Sequence, residues 1–254
     1  MNNTNGEIHL IDSEMPFEEH LEELRQRLFR CIATVIICSG IAYYFRHTIM
    51  KIIRKPMGNF KLIFLAPNEA FLSYIKLAIF CGILFAIPLV FYQIWRFVSV
   101  ALFPKEKRII LILFPLSLIF FTAGGLFAYF ISLPIGLKFL LTYPPPETNI
   151  SPMISLSKYI NFVGLFLLGF GILFQLPLVV VFLTRLGLIM PKTLSKKRRH
   201  VIIGLVLLAA IFTPPDVITQ LLLAIPLVLL YELSIWLSYI FAWIRRKESS
   251  KNDA

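Results

Sequence analysis

Charge is what this sequence has least of. Asp, Glu, Lys and Arg make up 15% of its 254 residues, against about 25% in ordinary soluble domains. Hydrophobic residues reach 58% and mean hydropathy is +0.80. A soluble fold of this length has no means of hiding so much apolar surface in one core. That excludes a soluble enzyme or binding module and leaves the bilayer as solvent. Histidine is equally thin: His9, His20, His47 and His200 are scattered, with no His-Glu-x-x-His and no Cys/His cluster to hold a metal. A Gly-x-Ser-x-Gly elbow and a glycine-rich phosphate loop are missing too, which argues against hydrolysis and against a nucleotide-driven engine. A protein without cofactor or enzymatic activity is expected. Of the three cysteines, Cys31 and Cys38 stand seven apart, about 10 Å along a helix, beyond the Cα separation of about 4–7 Å that a disulfide spans. Buried reduced thiols are the expectation. The first 20 residues are polar and acidic, unlike a cleavable signal peptide.

What is present is a series of long apolar runs, at 31–45, 71–95, 109–133 and 160–183, and then two stretches within 201–244 split by Thr213-Pro214-Pro215-Asp216. Residues 201–212 span only about 18 Å as a helix, short of a hydrocarbon core of roughly 30 Å. Charge bias decides between one kinked span and two. With six spans and the N-terminus inside, 17 of the 25 Lys and Arg fall on the inside; with five spans the split is 13 to 12. The positive-inside rule favours six, with both termini inside. Loop 46–61 is the exception, with Arg46, Lys51, Arg54, Lys55 and Lys61 on the outer side. The net charge of +11 is thus explained by topology, and nucleic acid is not expected as a partner. The expected fold is an all-α membrane protein with a polar segment and amphipathic helix over 1–30, a six-helix transmembrane domain over 31–244 and a polar tail over 245–254. Pro88, Pro115, Pro134, Pro177 and Pro226 lie in or at the ends of runs, each removing a backbone donor and predicting a kink.

Several polar residues are candidates for function. In the segment from Pro16 to Leu28, Phe17, Leu21, Leu24 and Leu28 form one apolar stripe. Glu19, Glu22 and Glu23 gather opposite, flanked by Arg25 and Arg27. Two readings stand: an interfacial helix whose acids pair with their own arginines, as Glu23 and Arg27 would at i, i+4, or an acidic docking face for a cationic ligand. Glu106 is a lone carboxylate among Lys105, Lys107 and Arg108. Glu232 lies within the last apolar run, where an ionisable group is costly and is expected to face the protein interior or a polar cavity. Gln175 precedes Pro177 by two residues, placed to satisfy backbone that the proline frees. Asp216 either closes a capping box with Thr213 or serves function.

Taken in order, these residues resemble the TatC family over nearly the whole chain, from about residue 16 to 244. The motifs are His20-Leu-Glu-Glu23-Leu-Arg25-Gln-Arg27-Leu28, then Tyr92-Gln93-Ile-Trp95-Arg-Phe97 followed by Pro104-Lys105-Glu106-Lys107-Arg108. Phe174-Gln175-Leu-Pro177, Thr213-Pro-Pro-Asp216 and Leu230-Tyr-Glu232 complete them. The resemblance implies a glove-shaped bundle of six helices that acts as receptor for twin-arginine signal peptides and exports folded proteins. It implies an oligomeric complex with small single-span partners of the TatA and TatB type, driven by the proton gradient. It carries signal-peptide binding onto Glu23, Arg25, Phe97, Lys105 and Glu106, and contacts within the membrane or with partners onto Gln175, Asp216 and Glu232. Val100 stands where many relatives have proline, and Gln175 where many bacterial members have glutamate. The Phe-Gln-Leu-Pro form, with abundant Ile, Phe, Lys and Asn, suits a plastid thylakoid membrane, with a bacterial or cyanobacterial membrane as the alternative. The rival class, a secondary transporter or channel, calls for several inward ionisable residues at mid-membrane, and the sequence offers chiefly Glu232.

Overall fold

The computed structural model describes residues 17–58, 60–100, 102, 107–142, 153–212 and 217–252, and nearly all of them are helical. Helix α1 (Phe17–Tyr44) joins the amphipathic segment and the first apolar run in 28 residues, about 42 Å at 1.5 Å per residue. It passes residue 30 without interruption because nothing in it breaks a helix: no proline occurs and Gly40 is its one glycine. Helix α2 (Arg46–Arg54) follows, continuing through a 3-10 turn at Lys55–Met57 to Gly58, whose φ of 67° suits glycine. Helix α3 (Glu69–Val100) returns along α1, and α4 (Lys107–Phe127) runs through a π-helical turn at Ala128–Ser132 into α5 (Leu133–Thr142). Then come α6 (Leu156–Leu173), α7 (Leu176–Arg185), the short α8 (Pro191–Lys196), α9 (Arg198–Phe212) and α10 (Val217–Asn252).

Among the described residues, five segments are long and apolar enough to cross a bilayer: Leu21–Tyr44, Glu69–Val100, Ile109–Thr142, Leu156–Arg185 and Val217–Ile240. The remaining expected span, α9, has 15 residues, about 22 Å. It is a helix separate from α10 and packs on it, with Gln220 Nε2 donating to Val206 O at 3.1 Å. Two of the expected kink positions, Pro134 and Pro177, fall at the starts of helices that follow an interruption, where a missing donor costs least. Pro88, Pro115 and Pro226 lie inside helices that continue past them.

The Leu156–Arg185 segment is the axle of the bundle, with Ile160, Val163, Phe166 and Phe170 all but sealed from the surface. Helices α3 and α4 pack on it through small residues, as expected where lipid offers no hydrophobic drive and close approach must supply the contact. A Cβ on Gly124 would lie 2.7 Å from Phe170 O, and one on Gly171 would lie 2.5 Å from the Phe121 ring. By contrast α1 touches chiefly α3, and only 11% of its span is buried, against 56% for the axle. Ile36 and Ile37 are about two-thirds exposed on α1, which makes this side a lipid face. The thiols follow from that. Cys81 on α3 is buried, whereas Cys31 and Cys38 are only half-buried, because a helix packed along one side has little interior to offer.

At the end of the bundle where α1 finishes, β1 (Leu62–Ile63) pairs in parallel with β2 (Ile154–Ser155). Glu69 ties the two strands together. Its Oε2 accepts from Leu65 N at 2.5 Å, and its Oε1 accepts from Ser157 N at 3.0 Å and from the Ser155 hydroxyl. This carboxylate, unremarked in the sequence, sits in the first turn of α3, where a negative charge also suits the helix dipole.

Candidate functional site

The opposite end of the bundle brings together the start of α1, the end of α3 and the start of α4. Its centre is Arg27, an arginine only 7% exposed. Arg27 Nε donates to Glu23 Oε1 at 3.1 Å, its Nη2 reaches the same oxygen, and its Nη1 donates to Gln93 Oε1 at 3.1 Å across the α1–α3 contact. The i, i+4 pair expected from the sequence therefore forms, and it is anchored to α3 by Gln93, itself buried. Such burial is tolerable because a guanidinium offers five donors and three are used here.

The carboxylate is left half-committed. Glu23 Oε2 is buried and has no hydrogen-bond partner among the described residues. An ionised carboxylate accepts about four hydrogen bonds through two oxygens, and charge-assisted ones are the strongest it makes. Oε2 thus keeps acceptor capacity that no described group uses, on a side chain that is itself 24% exposed. Phe97 lies four residues after Gln93 on the same face of α3, half-buried. Arg25 lies elsewhere: its Nη1 pairs with exposed Glu22 at 3.4 Å and its guanidinium sits 5.8 Å from the Phe29 ring. Of the residues singled out in the sequence, Glu23 and Phe97 thus share this α1–α3 junction and Arg25 stands on the exposed side. Lys105, Glu106 and Asp216 lie outside the described residues.

Around α3 from this junction, a pocket of about 290 Å³ opens between α3 and α4. Tyr92, Trp95, Ile110, Leu111 and Phe114 make its wall apolar, and Arg96 and Lys107 stand at its edge. The wall is braced: Arg96 donates to Tyr92 Oη at 3.1 Å, and Trp95 Nε1 donates to Ser117 Oγ at 3.2 Å while its ring meets Phe182 of α7 edge-on at 5.3 Å. The trough and the Glu23 junction are thus on different faces of the same end of α3, one apolar and one carrying a carboxylate.

Gln175 serves backbone, as expected, but not the Leu173 carbonyl that Pro177 leaves without a donor. The chain between α6 and α7 tightens there, and Gln175 N donates to Ile172 O, three residues back. Gly171 O loses that helical donor and receives the Gln175 side-chain Nε2 instead, at 3.4 Å; the same nitrogen donates to Ser117 O of α4 at 3.1 Å. Glu232 is placed at the level of the basic stretch 192–200 and is paired there. Its Oε2 meets Arg198 at 3.1 Å with about a third of the side chain exposed, while neighbouring Tyr231 donates to Leu194 O at 2.9 Å. What sequence reasoning missed was Gln93 as the partner of Arg27, because no local periodicity connects residues 66 positions apart. No group of His, Cys, Asp and Glu suited to a metal occurs among the described residues.

Comparison with known proteins gives this geometry its context. The family described as Sec-independent protein translocase protein (TatC) matches residues 19–226. The TatC protein of Desulforapulum autotrophicum is 40% identical over 248 residues, covering 96% of this chain and 90% of that protein. That of Aquifex aeolicus is 41% identical over 241 residues, covering 93% of this chain and all of its own. Both relatives are bacterial. A crystal structure of the twin-arginine translocase receptor TatC superimposes with a TM-score of 0.78 at 40% identity, covering 88% of this chain and 99% of that one. The family supplies a component of a protein translocase and not an enzyme, and this multi-pass, nearly all-helical membrane protein belongs to the TatC family.

Proposed function

We propose that this chain is the receptor subunit of a twin-arginine translocase, and that its binding site for signal peptides is built around Glu23. The observation that carries the reading is the buried, unpartnered Oε2 of Glu23, held in place by Arg27 and Gln93 at the junction that Phe97 also faces. One arginine of the peptide forks onto this oxygen. The carboxylate of Glu106, one of the few acids in a basic connection, takes the other. Lys105, next to Glu106 in the sequence, and Arg25, on the exposed side of α1, disfavour cationic ligands that lack the planar fork. The apolar part of the signal peptide lies along the α3–α4 trough.

In this reading the chain spans the membrane six times. Both termini face the cytoplasm or stroma, and the short α9 is accommodated by local thinning of the bilayer. Support comes from the charge split and the separate α9–α10 hairpin. The bundle has the family's glove shape and assembles with TatA- and TatB-type single-span proteins, Gln175, Asp216 and Glu232 making contacts within the membrane. Transport of folded precursors is driven by the proton gradient. Gln175 and the residue bias support a plastid thylakoid as the membrane, which import or fractionation of a tagged chain tests.

The deciding experiment is equilibrium binding or crosslinking of Arg-Arg and Lys-Lys signal peptides to wild type, Glu23→Ala, Glu106→Ala and the double variant. Each single variant is expected to weaken the Arg-Arg peptide by about 1.5–3 kcal/mol, roughly ten- to a hundredfold. The double variant should be non-additive, because both groups hold one ligand. Equal binding by wild type and Glu106→Ala would take the α3–α4 connection out of the site.

A further inference from the structure

The end of the bundle opposite Glu23 carries the basic loop that departs from the charge bias of the rest of the chain. Lys51, Arg54 and Lys55 stand at i, i+3 and i+4, so α2 and its following turn present all three on one face. They line an open concavity of about 380 Å³, which Gly58 borders without a side chain. None of the three has a carboxylate within ion-pair distance among the described residues. Glu69 is the one acid in residues 46–69, and both its oxygens are already engaged by Leu65, Ser155 and Ser157. Three like charges gathered with no carboxylate near them among the described residues repel one another, and an anion would relieve that repulsion.

The scaffold beneath them is fixed. Met50, Ile53 and Met57 point inward and are buried. The carbonyl of Ile52, which also takes the Lys55 N–H, accepts from Tyr129 Oη at 2.7 Å, and that of Ile53 accepts from Tyr159 Oη at 2.6 Å. The cations are therefore held on a docked helix. That helix lies between the end of one membrane span and the start of the next, at the depth of lipid headgroups. Ile52, beside Lys51, is 48% exposed, and Tyr44 and Phe45 just before α2 are exposed and stacked edge-on at 5.0 Å. Basic side chains above an apolar rim, on an amphipathic helix that joins two membrane spans, form the arrangement that takes a phosphodiester headgroup with its acyl chains.

We propose that Lys51, Arg54 and Lys55 form a binding site for the headgroup of an anionic glycerophospholipid in the leaflet covering this end of the bundle. The apolar rim selects a lipid over free phosphate. The uncompensated charge selects an anionic headgroup over a zwitterionic one, whose own cation would meet the three.

The full chain in phosphatidylcholine nanodiscs, doped with a photoactivatable phosphatidylglycerol or with the matching phosphatidylcholine probe, tests this. Adducts are mapped by peptide mass spectrometry, and those at residues 192–200 at the other end serve as internal reference. Phosphatidylglycerol should label residues 44–65 in preference to the choline probe. The triple variant Lys51→Gln, Arg54→Gln, Lys55→Gln should lose that preference by about fivefold for each cation removed, with reference labelling unchanged. The charge-keeping variant Lys51→Arg, Arg54→Lys, Lys55→Arg should retain it, which separates loss of charge from loss of fold. Equal labelling by the two probes, or undiminished labelling of the Gln variant, overturns the proposal. Displacement of the label by excess inorganic phosphate overturns it as well, making the concavity a free-anion site.

Discussion

Two groups of cations mark the two ends of the α1–α3 pair, and they are built on opposite terms. At one end Arg27 is buried, and its charge is answered by Glu23 and by the Gln93 amide. At the other, Lys51, Arg54 and Lys55 line an open concavity with no carboxylate near them among the described residues. The first arrangement satisfies a cation within the protein and leaves a carboxylate oxygen over. The second leaves cations over. On the two proposals made above, the first end receives positive charge and the second negative charge, although the sequence makes both ends basic.

This contrast is broken most severely by Arg27→Ala. Removing one member of a buried pair strands the other, at about 3–5 kcal/mol. The variant is expected to melt far below wild type in detergent, or to be lost from the membrane fraction. If it melts with wild type, Arg27 has no structural part in holding Glu23. Gln93→Leu should do less. It leaves one buried guanidinium donor without acceptor, a loss of about 1–3 kcal/mol, read as a smaller shift in the same melt. At the other end Ser155→Ala removes one of the donors to Glu69 and should cost about 1 kcal/mol. The loss should be visible as faster proteolysis near residues 60–69, with the Glu23 end untouched.

How much of this could be seen in the sequence depends on the distance over which each contact acts. The amphipathic stripe of α1 and the Glu23–Arg27 pair are local, set by helical spacing, and were legible; for Gln175 a service to backbone was legible, but its acceptors Gly171 O and Ser117 O were not. The apolar runs foretold a nearly all-helical membrane bundle for the same reason. Gln93 against Arg27, Glu232 against Arg198 and Glu69 against β2 join residues from 34 to 88 positions apart, and no periodicity records them. Glu69 did leave a trace: a lone acid opening an apolar run is the charge a helix N-terminus favours. The continuity of α1 was missed because a change of polarity at residue 30 looks like a boundary, whereas helices end at breakers and caps, and none is there.

The smallest effects sharpen the contrast most, because they separate a cation that is used from one that is merely present. Arg25 and Glu22 form an ion pair at 3.4 Å with both side chains more than half exposed. Exposed pairs of this kind contribute about 0.2–1 kcal/mol, so Arg25→Ala is expected to leave the detergent melt within about 0.5 kcal/mol of wild type. The Lys51, Arg54, Lys55 to Gln triple should be nearly as silent in that melt, since the internal bond it loses, from Arg54 Nη2 to Phe60 O, is exposed and long at 3.5 Å, and mutual repulsion is relieved. The two variants part company only when the surroundings change. Transfer from neutral detergent to phosphatidylglycerol bilayers should stabilise wild type and Arg25→Ala alike, by mass action of a ligand that binds the folded chain, and should stabilise the triple much less. If the lipid shifts all three melts equally, the cations at the far end are a solvated face and the symmetry between the two ends is broken.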